Sequence, residues 1–173
     1  MERRNLGSSG FEISRIGLGT WAIGGHMWGG QDDAASIEAI HACVAHGVNW
    51  IDTAPIYGSG HSEEVVGRAL KQLPASRRPM VFTKFGLGIN SDTPTRSAAA
   101  AHVTAESDGS LRRLGIDQID LYQLHWPAPQ PVGPDRFGVT VRLDDVHADL
   151  VAARHELDRR LRGARDLGVP LAP

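Results

Sequence analysis

The chain has 173 residues, 41% of them apolar and 22% charged, with a net charge of −2. Those values suit one soluble globular domain with a sizeable core and give no electrostatic footprint for nucleic acid or an acidic membrane surface. The single Cys43 leaves no internal disulfide framework, MERRNLGSSGFEIS lacks an apolar signal region, and nothing is apolar over the roughly 18 residues that a membrane span requires; a cytoplasmic location is expected.

Residues 3–14 read as a β-hairpin turning through Gly7-Ser8-Ser9-Gly10. Ile16–Trp21 (IGLGTW) is a short apolar strand, followed by the glycine-rich loop Ala22–Gln31 with Met27 and Trp28. Asp32-Asp33 can cap a helix running to about His46, with Ile37, Ile40 and Val44 at helical spacing and Gly47 ending it. A second strand, Asn49–Thr53, follows at once. Ser62-Glu63-Glu64 opens another helix whose stripe is Val65, Val66, Ala69, Leu70 and Leu73, and Pro74 stops it.

Met80–Phe85 (MVFTKF) is a third strand. A long helix is expected over Thr95–Leu114, closed by Gly115, with Ser107-Asp108-Gly109-Ser110 as a point where it kinks or frays. Ile119–Trp126 (IDLYQLHW) is the fourth strand, ended by Pro127. Strands and helices alternate, which specifies a parallel α/β sheet, since parallel neighbours need crossover connections. Beyond Pro127 a Pro- and Gly-rich linker covers 128–138, and Leu143, Val146, Leu150, Leu157, Leu161 and Ala164 mark one face of an amphipathic C-terminal helix.

Asp52, Tyr57, Lys84 and His125 stand at or just past the C-terminal ends of successive strands, the edge where parallel α/β folds bind ligands. Together they make chemical sense. An ammonium beside a phenol favours its ionised form, a carboxylate holds the ammonium, and an imidazole can orient a carbonyl or share in proton transfer. Each also has a plain alternative: Asp52 as a turn cap, Tyr57 as a half-buried loop aromatic, Lys84 snorkelling to the surface, His125 as a satisfied core histidine. Four such coincidences at one edge are improbable. The loop GLGTWAIGGHMWGG lacks GxGxxG spacing and an immediate helix, which disfavours a dinucleotide-binding fold, and the remaining histidines show no metal-ligand spacing, so no metal is expected.

The stretches GLGTW (17–21), GVNWIDTAPIYGSGHSEEVVGRAL (47–70), VFTKFG (81–86) and SLRRLGIDQIDLYQLHWP (110–127) resemble the aldo-keto reductase family. The resemblance implies a (β/α)8 TIM barrel with an N-terminal hairpin at its base, and NADP(H)-dependent carbonyl reduction or the reverse oxidation of alcohols or sugars. It makes Tyr57 the general acid, Lys84 and Asp52 its tuning pair and His125 the carbonyl-orienting group, with Gly19, Thr20, Trp21 and Asp52 bordering the cofactor. A full barrel takes about 250 residues. The expected fold is therefore a partial barrel of about four βα units over residues 1–127, followed by a divergent linker and helix at 128–173, as in a truncated chain. Expected partners are a small carbonyl or sugar substrate and, through open sheet edges, a second copy of the chain. The alternative is a catalytically silent fragment acting at most as a binding or interaction module.

Overall fold

The structure is a computed structural model; it describes residues 1–26, 28–89, 95–97 and 99–126. The linker and amphipathic helix expected within 128–173 lie outside those residues, as does Met27.

Strands β1 (Arg3–Asn5) and β2 (Glu12–Ser14) form the expected antiparallel hairpin, with Arg3 opposite Ser14. Two side chains anchor it. Asn49 accepts from Ser14 N at 2.7 Å through Oδ1 and donates to Glu12 O at 2.8 Å through Nδ2, while Trp50 Nε1 donates to Ser14 O at 2.9 Å. The hairpin thus covers the end of the sheet opposite the candidate site.

Strand β3 (Leu18–Gly19) leads to helix α1 (Asp33–Ala45), whose N-cap Asp32 accepts from Ala35 N at 3.0 Å. Strand β4 (Trp50–Asp52), helix α2 (His61–Lys71) and strand β5 (Met80–Phe85) follow. A short antiparallel pair, β6 (Leu87–Gly88) and β7 (Thr95–Arg96), precedes helix α3 (Ala100–Leu114) and strand β8 (Leu121–Leu124). The main sheet is parallel in the order β3-β4-β5-β8, with Gly19 beside Asp52, Asp52 beside Phe82, and Lys84 beside Gln123.

The three helices cover one face of this sheet. Ile40 of α1, Ile51 of β4, Val65, Val66, Ala69 and Leu70 of α2, Val81 of β5 and Leu114 of α3 form the buried core. Each of these Ile, Val and Leu side chains contributes about 1.5–3 kcal/mol by leaving water. Because side chains alternate across a strand, Ile51, Thr53, Val81, Thr83 and Phe85 face the helices, and Asp52 and Lys84 point the other way.

Helix α3 starts later than its sequence suggests, because Thr95 and Arg96 join a ladder with Gly88 and Leu87 instead of the first helical turn. The Ser107–Ser110 stretch does not break it. Ser107, Gly109 and Ser110 are buried, and Ser107 Oγ donates to Thr104 O at 2.8 Å, so these small residues serve close packing. At Gly67 of α2, an added Cβ would lie 2.6 Å from Leu114 O and 2.7 Å from Arg113 O, so only glycine lets the two helices approach there.

The buried Glu63 locks the layers together. Its side chain is fully enclosed; it accepts from Thr83 Oγ1 of β5 and from Arg113 Nε of α3, both at 2.7 Å. Removing one partner of a buried ion pair leaves an uncompensated charge, which costs about 3–5 kcal/mol. Arg113→Leu is therefore expected to lower unfolding free energy by about that amount in urea titration, whereas Glu63→Gln, which keeps an acceptor for Thr83, is expected to cost less.

Candidate active site

The loop after β4 carries Tyr57 back over the sheet. Its amide donates to Ala54 O at 3.1 Å, and the turn continues through Gly58, Ser59 and Gly60, all at positive φ. Gly58 presses on Gly24 of the first loop: a Cβ on Gly58 would lie 2.1 Å from Gly24 O, and one on Gly24 would lie 2.6 Å from Gly58 N. The glycines of AIGG and YGSG therefore let two loops meet backbone to backbone and place Trp21 beside Tyr57, ring centroids 6.4 Å apart. Trp21 also meets Trp28 edge to face at 5.4 Å. Both tryptophans are exposed, at 53% and 54%.

Lys84 is the centre of the polar cluster. Its Nζ donates to Asp52 Oδ1 at 2.5 Å, to Thr53 O at 2.9 Å and to Tyr57 Oη at 3.2 Å. The side chain is only 13% exposed and Asp52 is 28% exposed, so water screens this pair weakly. His125, just past β8, donates its backbone N–H to Phe85 O at 2.9 Å and sets its ring edge-on to Tyr57, centroids 5.7 Å apart. Burial, then the Lys84 ammonium, hold the His125 imidazole below its ordinary pKa of 6.5, and Asp52 opposes them. The ring is neutral at neutral pH.

All four sequence-predicted strand-end residues thus converge within one cluster. Of the residues expected to border a cofactor, Gly19 is exposed with open space where a Cβ would stand, and Trp21 lies above Tyr57. Thr20 is buried at 1% exposure. Its Oγ1 donates to Asp52 O at 3.0 Å and accepts from Ser62 Oγ at 2.8 Å, so its hydroxyl secures β3 to β4 rather than facing the cluster.

Sequence reasoning passed over Gln123, whose Nε2 donates to Asp52 Oδ2 at 3.2 Å. The signal was there: in IDLYQLHW the amide stands two residues before His125, on the same face of the strand. Tyr122, on the other face, is half-buried, and desolvation pushes its phenol far above the usual range. Its Oη donates to Val103 O at 3.4 Å. It takes no part in the cluster.

A cavity of 770 Å³ opens elsewhere, among Asp33, His61, Arg68, Arg78, Arg113 and neighbours on the helical side. None of the strand-end residues lines it, and their chemistry outweighs its size in locating the site. Among the described residues, no group of three or more His, Cys, Asp or Glu is gathered to hold a metal ion, and no helix is long and apolar enough to cross a membrane.

The profile of the Aldo/keto reductase family matches residues 15–156 of this chain. The chain belongs to that family. It is 49% identical to aldo-keto reductase YhdN of Bacillus subtilis over 129 residues, 75% of this chain and 39% of that protein. It is 38% identical over 143 residues to an NADH-specific methylglyoxal reductase of Escherichia coli, covering 76% and 44% respectively. Its fold superposes on the glycerol dehydrogenase AKR11B4 of Gluconobacter oxydans with a TM-score of 0.63 at 45% identity, covering 72% of this chain and 39% of that one. It also superposes on a Klebsiella pneumoniae aldo-keto reductase solved with NADPH, with a TM-score of 0.61 at 29% identity, covering 86% and 43%. The chain thus spans about two fifths of the length of the curated relatives it matches.

The imidazole gives a direct check on this electrostatic arrangement. The His125 ring is expected to titrate by NMR with a midpoint below 6.5, and Lys84→Met is expected to raise that midpoint by removing the neighbouring cation. Stability follows with a defined sign. A base whose folded pKa is depressed binds its proton first in the unfolded chain, so its contribution is complete above about 6.5 and is lost as pH falls through the depressed value.

Proposed function

We propose that this chain supplies the acid–base half of an aldo-keto reductase site on a partial (β/α)8 barrel, catalysing NADP(H)-dependent carbonyl reduction or the reverse alcohol or sugar oxidation. The observation that carries this reading is the Lys84 ammonium, which touches both the Asp52 carboxylate and the Tyr57 hydroxyl. Because Lys84 Nζ donates to Tyr57 Oη, the phenol's own proton is directed away from the ammonium, toward the open side of the cluster. There it can pass to the oxygen of a carbonyl under reduction, and the adjacent ammonium stabilises the phenolate left behind. Neutral His125 can donate to the same oxygen and fix the approach of the carbonyl.

The residues fit one end of a nicotinamide cofactor. Open space over Gly19, the exposed face of Trp21 and the second oxygen of Asp52 form a shelf beside Tyr57 on which a nicotinamide ring and its ribose would be held. When bound, the cofactor supplies or takes up the hydride. The K. pneumoniae relative solved with NADPH supports NADP(H) as the cofactor, and the E. coli relative is NADH-specific. The substrate class is a small aldehyde, ketone or sugar. Among the described residues β3 and β8 are the outer strands of the four-stranded sheet, and strand pairing there would support self-association.

Tyr57→Phe is expected to lower NADPH-dependent aldehyde reduction by about 10²–10⁴-fold, the usual contribution of a positioned general acid, with NADPH affinity unchanged. Turnover equal to that of the parent chain in this variant would remove Tyr57 from the proton-donor role.

A further inference from the structure

The inner face of β8 presents Gln123 directly beside Lys84 of β5. Its amide does not bond to that neighbour but reaches across to β4, where Nε2 donates to Asp52 Oδ2 at 3.2 Å. Lys84 Nζ holds the other oxygen, Oδ1, at 2.5 Å. Asp52 is therefore gripped at both oxygens by donors from two different strands. Its backbone is held as well, since Asp52 O accepts from Thr20 N at 2.9 Å and from Thr20 Oγ1 at 3.0 Å.

A carboxylate bonded at one oxygen can still swing about its terminal torsion, which is broad and soft. A second donor on the other oxygen removes that freedom. The residue type also matters. Lysine or arginine at this place would compete with Lys84 for the carboxylate, glutamate would repel it, and leucine or methionine would leave Oδ2 without a donor. A neutral donor such as this amide secures Asp52 without changing the charge of the cluster.

We propose that Gln123 is a positioning residue: by holding Asp52 Oδ2 it fixes the carboxylate plane, so that Oδ1 keeps the Lys84 ammonium on the Tyr57 hydroxyl. Gln123 acts on the reacting atoms only through Asp52 and Lys84. The consequence for turnover rests on the reductase reading above, whereas the consequence for the geometry of Lys84 does not.

The test is Gln123→Met, which keeps the length of the side chain and removes the donor, followed by NMR of the Lys84 side-chain ammonium at low temperature. In the parent chain three acceptors hold that ammonium, and its protons are expected to exchange slowly with water. In Gln123→Met their exchange is expected to accelerate about tenfold, the scale of one hydrogen bond to a charged group, with the backbone amide spectrum preserved. With NADPH and an aldehyde, kcat is expected to fall about tenfold while KM stays within about twofold. Exchange within about twofold of the parent value overturns the proposal, whatever the activity. If the parent chain itself shows no turnover, the reductase reading falls and the ammonium exchange still decides the role of Gln123. If Gln123→Met does not fold, Gln123→Asn serves: its amide is one carbon shorter and falls short of Asp52 Oδ2, so the same acceleration of ammonium exchange is expected, and exchange within about twofold of the parent value overturns the proposal.

Discussion

The Lys84 ammonium has three hydrogens and three acceptors, one each from the Asp52 side chain, the Thr53 backbone and the Tyr57 hydroxyl. At 13% exposure an ammonium without such partners would be costly, so the strands and the loop around it must meet with its acceptors in place. That requirement reaches far into the chain. Strands β4 and β5 must pair so that Asp52 lies beside Phe82, two residues before Lys84, and the loop after β4 must fold back to bring Tyr57 within reach. The contact between Gly24 and Gly58 makes that return path sterically open.

The opposite face of the same strand is held just as firmly. Thr83, one residue before Lys84 and so pointing the other way, donates to the buried Glu63, which Arg113 neutralises from α3. Ser62, the residue before Glu63, donates to Thr20 Oγ1 at 2.8 Å and lies 3.2 Å from Thr53 Oγ1, joining β3 and β4 behind the site. Two residues past Lys84, Gly86 N donates to Glu106 Oε2 at 2.7 Å. Burial raises the Glu106 carboxyl above its ordinary value, with the Gly86 amide pulling against it. Lys84 is thus fixed by polar bonds on the far side of the sheet as well as by its own ion pair.

Much of this was legible in the residues. The runs carrying Asp52, Lys84 and His125 predicted strands whose ends share one edge, and the helical spacing up to about His46 and the stripe from Val65 to Leu73 predicted the helices that cross between them. The hairpin followed from its turn residues. What escaped was of two kinds. Strand pairing overrode helical propensity at Thr95 and Arg96, because a partner at Leu87–Gly88 can be recognised only once the chain has folded. The small polar residues of α3 looked like a weak point because helix propensity omits tertiary packing, which at Gly67 and Leu114 requires close approach. Glu63 was unreadable for a related reason, since a carboxylate shows its partners only between layers, and for Gln123 the strand face was legible but not the Asp52 oxygen that it meets. The strand-end tetrad escaped that limit because ionisable groups in apolar strands are conspicuous on their own.

The central claim is that the Lys84 ammonium acts as the charge that makes Tyr57 a proton donor, and chemical rescue tests it most directly. NADPH consumption with a small aldehyde is measured for the chain and for Lys84→Ala, with and without added methylammonium. The account predicts that Lys84→Ala loses turnover and that methylammonium, seated in the vacated space against Asp52 and Tyr57, restores part of it in a saturable way. Undiminished turnover by Lys84→Ala without added amine would contradict it.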